Sequence, residues 1–293
     1  MNTTPTGPYA ALKIPDFRLF ISSRFCVTLA IQIQSVVVGW QVYEITNDKI
    51  ALGLIGLAEA IPSIGVSLYA GHVADIIQRK RIIVSCLLTL LACSVGLLYF
   101  TLDIGAYMLD YGVYPIYAVI FVSGIARGFL SPAVFSFMPQ LVPRDLYGNA
   151  ITWNSTLWET ATIGGLAFGG LLYGLLGIQM AYLIDVCLTL AGLLLVAGVG
   201  DKPVPEISGE EGVAEKIKAG LRFVFDNKII LGAISLDLFA VLFGGAVALL
   251  PVFAKDILHI GPEGLGILRA APSVGALAMA FYITHHPIKR DAG

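Results

Sequence analysis

The chain has 293 residues, 57% of them apolar and only 13% charged, with a formal net charge of −2. Soluble domains are roughly 45–50% apolar and about 25% charged, and a globule of this size cannot hide the excess hydrocarbon. That excludes an ordinary soluble enzyme and a disordered chain, and the missing basic field excludes a nucleic-acid binder; an all-α membrane protein with several spans remains.

Residues 1–18 are polar and proline-bearing and form a cytoplasmic N-terminus with no cleavable signal peptide. Eight apolar runs of spanning length follow, at 19–43, 51–74, 82–102, 113–136, 150–174, 178–200, 229–254 and 264–284. In the first, Gln34 and Gln41 are seven residues apart and share a helical face. That face either lines a polar cavity or bonds to a neighbouring helix, and Gln34 is the candidate for the cavity. Trp40, Tyr43, Tyr107, Tyr111 and Tyr114 fall near the outer boundary and read as an aromatic belt. The four cysteines lie inside apolar runs without metal or redox spacing, so no metal or cofactor is expected. The segment 201–228 is polar, with Pro203, Pro205, Glu206, Glu210 and Glu211, and reads as a linker. Within it Val213, Ile217, Leu221, Val224 and Phe225 recur at helical spacing, which predicts an amphipathic helix on the cytoplasmic face.

Lys and Arg set the orientation. With the N-terminus in the cytoplasm, thirteen of them fall in inside segments, including Arg79, Lys80, Arg81 and Arg144, against Lys49 and Lys255 outside. This predicts a multi-pass protein of the cell (inner) membrane with both ends and the linker inside.

An internal repeat organises the spans. Gly56-Leu-Ala-Glu-Ala-Ile-Pro62-Ser63-Ile-Gly65 and Gly266-Ile-Leu-Arg-Ala-Ala-Pro272-Ser273-Val-Gly275 share five identities in ten at an offset of 210 residues. The repeat unit is then six spans. The reading is a six-helix N-terminal bundle (19–200), the linker, and a C-terminal bundle (229–293) of which two spans are present. Either the sequence is a fragment of a twelve-span carrier or the protein is naturally truncated.

At this point the residues resemble a known family. Gly71-His-Val-Ala-Asp75-Ile-Ile-Gln-Arg79-Lys80-Arg81, between the second and third spans, is similar to the signature loop of the major facilitator superfamily, with Ile76 and Gln78 departing from it. Gly124-Ile-Ala-Arg127-Gly128-Phe-Leu-Ser-Pro132, with Pro139, Pro143, Arg144 and Asn149-Ala beyond it, resembles the branch of the enterobactin exporter and the macrolide-type efflux carriers. Gly165-Leu-Ala-Phe-Gly169-Gly170 is similar to the antiporter element of the fifth span, with Leu166 in place of its proline. The resemblance implies a major facilitator-like bundle and proton-coupled export of a small organic molecule, a drug or a siderophore, by alternating access. It also implies that Asp75 and Arg79 of the signature loop, with Lys80 beside them, latch the cytoplasmic ends of the bundles. Gly71 is expected to allow close helix approach there, and Gly165, Gly169 and Gly170 to pack helices.

Charges inside spans mark a pathway or a pair, since each costs at least about 2.5–3.5 kcal/mol at a helix centre. Glu59, Arg127, Glu159, Asp185, Asp237 and Arg269 qualify. Asp237, Glu159 and Glu59 are the ranked candidates for proton coupling. Asp237 stands first because the resemblance places the seventh span against the central cavity. Arg127 is a substrate-side charge or the partner of one of these acids. Asp185 is expected near the outer interface, and Arg24 is expected to snorkel. An intramembrane enzyme lacks its constellation: the histidines lie at loops or span ends, and neither a His-Glu-x-x-His element nor a nucleotide-binding loop occurs. The partners expected are the lipid bilayer, a small-molecule substrate and protons, with neither nucleic acid nor ATP. The alternative is a truncated membrane protein that does not transport.

Overall fold

The computed structural model describes residues 7–102, 105, 111–203 and 222–285. Its long helices are α1 (Pro15–Thr46), α2 (Lys49–Ile76), α3 (Arg79–Thr101), α4 (Tyr114–Phe137), α5 (Tyr147–Leu176), α6 (Ile178–Ala197), α7 (Lys228–Phe243) and α8 (Pro262–His285). Among the described residues six helices, α1 to α6, are long and apolar enough to cross a membrane. Local chemistry makes the turns between them short. Asn47 closes α1 in the left-handed region at φ 48°, and the next residue, Asp48, caps α2 by accepting from the Ile50 N–H at 2.9 Å. Gly177 alone joins α5 to α6 at φ 84°, where a side chain would be strained.

Tight turns force neighbours to run antiparallel, and the bundle forms by α2 packing on α4, α1 on α5 and α6, and α3 on α4 and α6. α2 and α4 approach closely where α4 offers glycine. A Cβ added at Gly124 would stand 2.5 Å from the Glu59 carbonyl oxygen, and one at Gly128 would stand 2.8 Å from that of Ser63. Without an apolar-to-water driving force between helices, such backbone contact is what gives packing its selectivity. The close approach expected at Gly71 is absent: a Cβ there meets nothing within 4 Å, because α2 touches α4 higher up, around Glu59, Ser63 and Val66.

The two larger of the four apolar clusters in the described core have polar side chains between them. Along α3, Leu90 belongs to one cluster and Leu97 to the other, with Ser94 between; along α6, Leu193 and Tyr182 flank Asp185 in the same way. Trp40 and Tyr43 depart from the expected aromatic belt. They are buried, 6% and 2% exposed, against Leu265 and Val252 of the following segments. Tyr111 and Tyr114 are exposed, and Tyr107 lies outside the described residues.

The seventh span is shorter than 229–254. Helix α7 stops at Phe243, and the chain continues as a 3-10 segment (Gly244–Leu249), one α turn (Leu250–Val252) and a π turn (Phe253–Ile257). Two successive glycines weaken the helix, and Pro251 removes an N–H and crowds the carbonyl four residues back. The expected linker helix falls outside the described residues except for 222–226, which is helical and carries an Arg222–Asp226 pair at 3.6 Å.

Candidate substrate and coupling site

The polar layer is a hydrogen-bonded chain that crosses five helices. Arg127 of α4 forms an ion pair with Glu59 of α2 through Nη1. Its Nη2 donates to Gln34 Oε1 of α1 at 3.1 Å. The Gln34 amide then donates to Asp185 Oδ2 of α6 at 3.2 Å and to Ser94 Oγ of α3 at 3.3 Å. The geometry follows from the glycines. Gly124 and Gly128 flank Arg127 in sequence and press α4 onto the Glu59–Ser63 stretch, so the guanidinium arrives beside the Glu59 carboxylate. Asp185 is 1% exposed, so its carboxylate depends on Gln34 and Ser94 for the hydrogen bonds that burial requires. This corrects its expected place at the outer interface. It lies only seven residues into α6, but α6 starts directly after Gly177 and packs on α1 and α3.

A cavity of about 170 Å³ opens beside this chain. Gln34, Glu59 and Arg127 line it together with Ser35 and Arg269, and Val38, Leu52, Ile55 and Ile120 supply its apolar wall. Arg269 comes from α8, which packs on α5 at a glycine pair: a Cβ on Gly170 would stand 2.7 Å from Gly266 Cα. Gly165 and Gly169 of the same helix instead face α1, close to Leu29 and Ile33. At the end of the bundle away from Arg79, further contacts hold the later segments to α1. Tyr43 donates to Asp256, and Lys255 donates to Asn47 Oδ1 at 2.8 Å.

The other candidate residues are placed elsewhere. Asp237 is exposed on α7 and has no ion-pair partner among the described residues. Glu159 is half-buried on α5, also without one. Arg79 donates to the Ser136 carbonyl at 2.9 Å and to that of Ala74 at 3.4 Å, where a cation satisfies the free carbonyls at helix ends. Lys80 pairs with Asp201 at 2.9 Å, and Lys202 with Asp16 at 2.6 Å. These contacts join ends of α1, α3, α4 and α6 within one bundle; the Asp75 side chain lies outside the described residues. The Lys80 ammonium holds the exposed Asp201 carboxyl below its usual range by hydrogen bonding. Gln41 accepts from Tyr182 Oη at 2.6 Å, an interhelical bond and not a cavity contact. Arg24, given no role from the sequence, reaches Asn154 Oδ1 at 2.7 Å and lines a second cavity with Trp158.

The fold has known counterparts. Residues 6–286 match the family described as transmembrane secretion effector. The chain is 26% identical over 209 residues to the uncharacterized MFS-type transporter YkuC of Bacillus subtilis, covering 68% of this chain and 47% of that protein. It is 23% identical over 279 residues to YjbB of the same organism, also described as an uncharacterized MFS-type transporter, covering 89% and 63%. The chain thus spans about half to two thirds of the length of these relatives. Among solved structures, the POT family transporter PepTSo aligns with a TM-score of 0.56 at 16% identity, over 93% of this chain and 53% of that one. An auto-inhibited POT family peptide transporter aligns at 0.52 and 15%, over 89% and 52%. At such identities the structures speak to the fold alone. With its apolar spans and a family match over nearly its whole length, the chain belongs to the transmembrane secretion effector family, of the major facilitator type, and is a multi-pass membrane protein.

Proposed function

We propose that the protein containing this chain is a secondary active transporter that exports a small organic molecule, of the drug or siderophore class, driven by proton entry through alternating access. The single observation that carries this reading is the half-buried Glu59–Arg127 pair facing a cavity that α8 completes with Arg269. Ionisable groups inside a membrane bundle are functional candidates because they are costly to keep there. Here they meet where the first six helices contact the later segments, which is where a rocking-bundle carrier holds its substrate.

Glu59 is the coupling carboxylate in this reading. Charged, it ties α2 to α4 through Arg127; protonated, it releases that tie, and the packing of two helices becomes the element that protons bias. Gln34 passes the change on to Asp185 and Ser94. The chain lies in the cell inner membrane with its N-terminus in the cytoplasm, supported by the excess of Lys and Arg on that side. The Arg79 and Lys80 contacts then brace the cytoplasmic end of the bundle.

The test is flux into proteoliposomes holding the complete protein, with an acid interior imposed, offering a catecholate siderophore and the dye ethidium separately. Uphill accumulation of either one that collapses with the pH gradient is the expected result. Flux of neither under the gradient overturns the reading.

A further inference from the structure

Arg269 is the charge that the ion pair leaves over. Its Nη1 donates to Ser35 Oγ at 2.9 Å, and its buried Nε has no hydrogen-bond partner. Among the described residues no carboxylate lies within ion-pairing distance of it, whereas Arg127 across the same cavity has Glu59. A guanidinium pulled from water with one hydroxyl for company is unstable unless an acceptor joins it.

The cavity says which acceptor. Ser35 holds Nη1, Nε is closed off, and the guanidinium lines the cavity, so an anion entering it meets a cation that no carboxylate of the described residues answers. Gly39, one turn beyond Ser35, lines the same cavity, close enough that an added Cβ would touch Nη2 at 3.8 Å. Val38, Leu52 and Ile55 face the same cavity and would take an apolar body. At about 170 Å³ the space is smaller than the roughly 300–1,000 Å³ of drug-sized pockets, and suits a small acid or the acidic end of a larger one.

We propose that the Arg269 guanidinium docks the carboxylate of an organic anion whose apolar part lies between α1 and α2. The inference rests on reading this cavity as the substrate site. It narrows the cargo to molecules bearing an acid group.

Benzoate is the probe and benzamide its uncharged counterpart. Thermal unfolding of the complete protein in detergent is followed with each. Benzoate raises the midpoint saturably and benzamide does not. Arg269→Gln weakens benzoate binding by about tenfold or more, the loss expected for a charge-assisted contact. Arg269→Lys, which keeps the charge without the planar donor set, falls between. Should Arg269→Gln fail to fold, Gly39→Leu fills the cavity from α1 and is expected to remove the response equally. Equal shifts from benzoate and benzamide, or full benzoate binding by Arg269→Gln, overturn the proposal. Flux failure is separable from this result: benzoate binding without proton-driven flux removes the transport reading and leaves the acid site, and flux without benzoate binding does the reverse.

Discussion

Helices α2 and α8 carry ten-residue motifs identical at five positions, yet they use them differently. In α8 the leading glycine, Gly266, lies against the α5 backbone, 2.9 Å from Gly170 Cα to an added Cβ; in α2 the equivalent Gly56 faces open space. The close contact on α2 is made from the partner's side, by Gly124 and Gly128 of α4. The charge at the fourth position differs as well. Glu59 is paired with Arg127, and Arg269, 210 residues on, has a serine hydroxyl instead. A shared motif therefore fixes neither the docking partner nor the electrostatic role. Those depend on which of two facing helices lacks side chains and on what the opposite helix brings.

The largest effect expected tests the glycine half of this contrast. Gly266→Leu drives a side chain into the α5 backbone and should lower stability by roughly 1–3 kcal/mol or more. Gly56→Leu should stay within about 0.5 kcal/mol. Thermal unfolding of the two variants reads the difference, and equal losses break the comparison. Next come the charges. A double-mutant cycle of Glu59→Gln and Arg127→Gln should give a coupling of roughly 0.5–3 kcal/mol. Arg269→Gln should be neutral or stabilising, since it removes a buried cation that lacks an acid. A destabilising Arg269→Gln would mean the guanidinium is structural. Behind the pair, Asp185→Leu strips Gln34 and Ser94 of their acceptor, for a loss of about 1–3 kcal/mol. Asp185→Asn keeps an acceptor and should lose less; matching losses would show that the carboxylate's charge, not its hydrogen bonds, holds the layer.

The smallest effect lies at the exposed Lys80–Asp201 contact. The Asp201 pKa is lowered in the folded state, so its contribution to stability is present above the unfolded carboxyl pKa and fades as pH falls through the folded one. Asp201→Asn should therefore differ slightly from the parent at neutral pH and match it in strong acid. A difference that grows on acidification contradicts this.

Much of the architecture is legible in the chain because a bilayer demands runs of about 20 apolar residues. Each of the eight runs contains a helix among the described residues, the seventh only as far as Phe243. Span seven shows the limit: hydropathy carries it through to residue 254, although Gly244, Gly245 and Pro251 already argue for a break at Phe243. Glu59 and Arg127 stand out singly by the cost of burying them. That Arg127 pairs with Glu59 and not with Glu159 or Asp237 does not, since it depends on α4 turning Gly124 and Gly128 toward α2. Counting residues from a span's end hides Asp185, whose burial comes from α1 and α3 closing around it. Gly71 makes the opposite point: the signature loop is recognisable, but the approach it was expected to permit occurs elsewhere on α2.

The central claim is that Glu59, held by Arg127, couples protons to movement. Proton-driven flux in proteoliposomes of the complete protein, measured for Glu59→Gln beside Asp237→Asn, tests it most directly. The account predicts that Glu59→Gln loses uphill flux while keeping substrate exchange, and that Asp237→Asn retains both. Uphill flux that survives Glu59→Gln and disappears in Asp237→Asn would contradict it and move the coupling to α7.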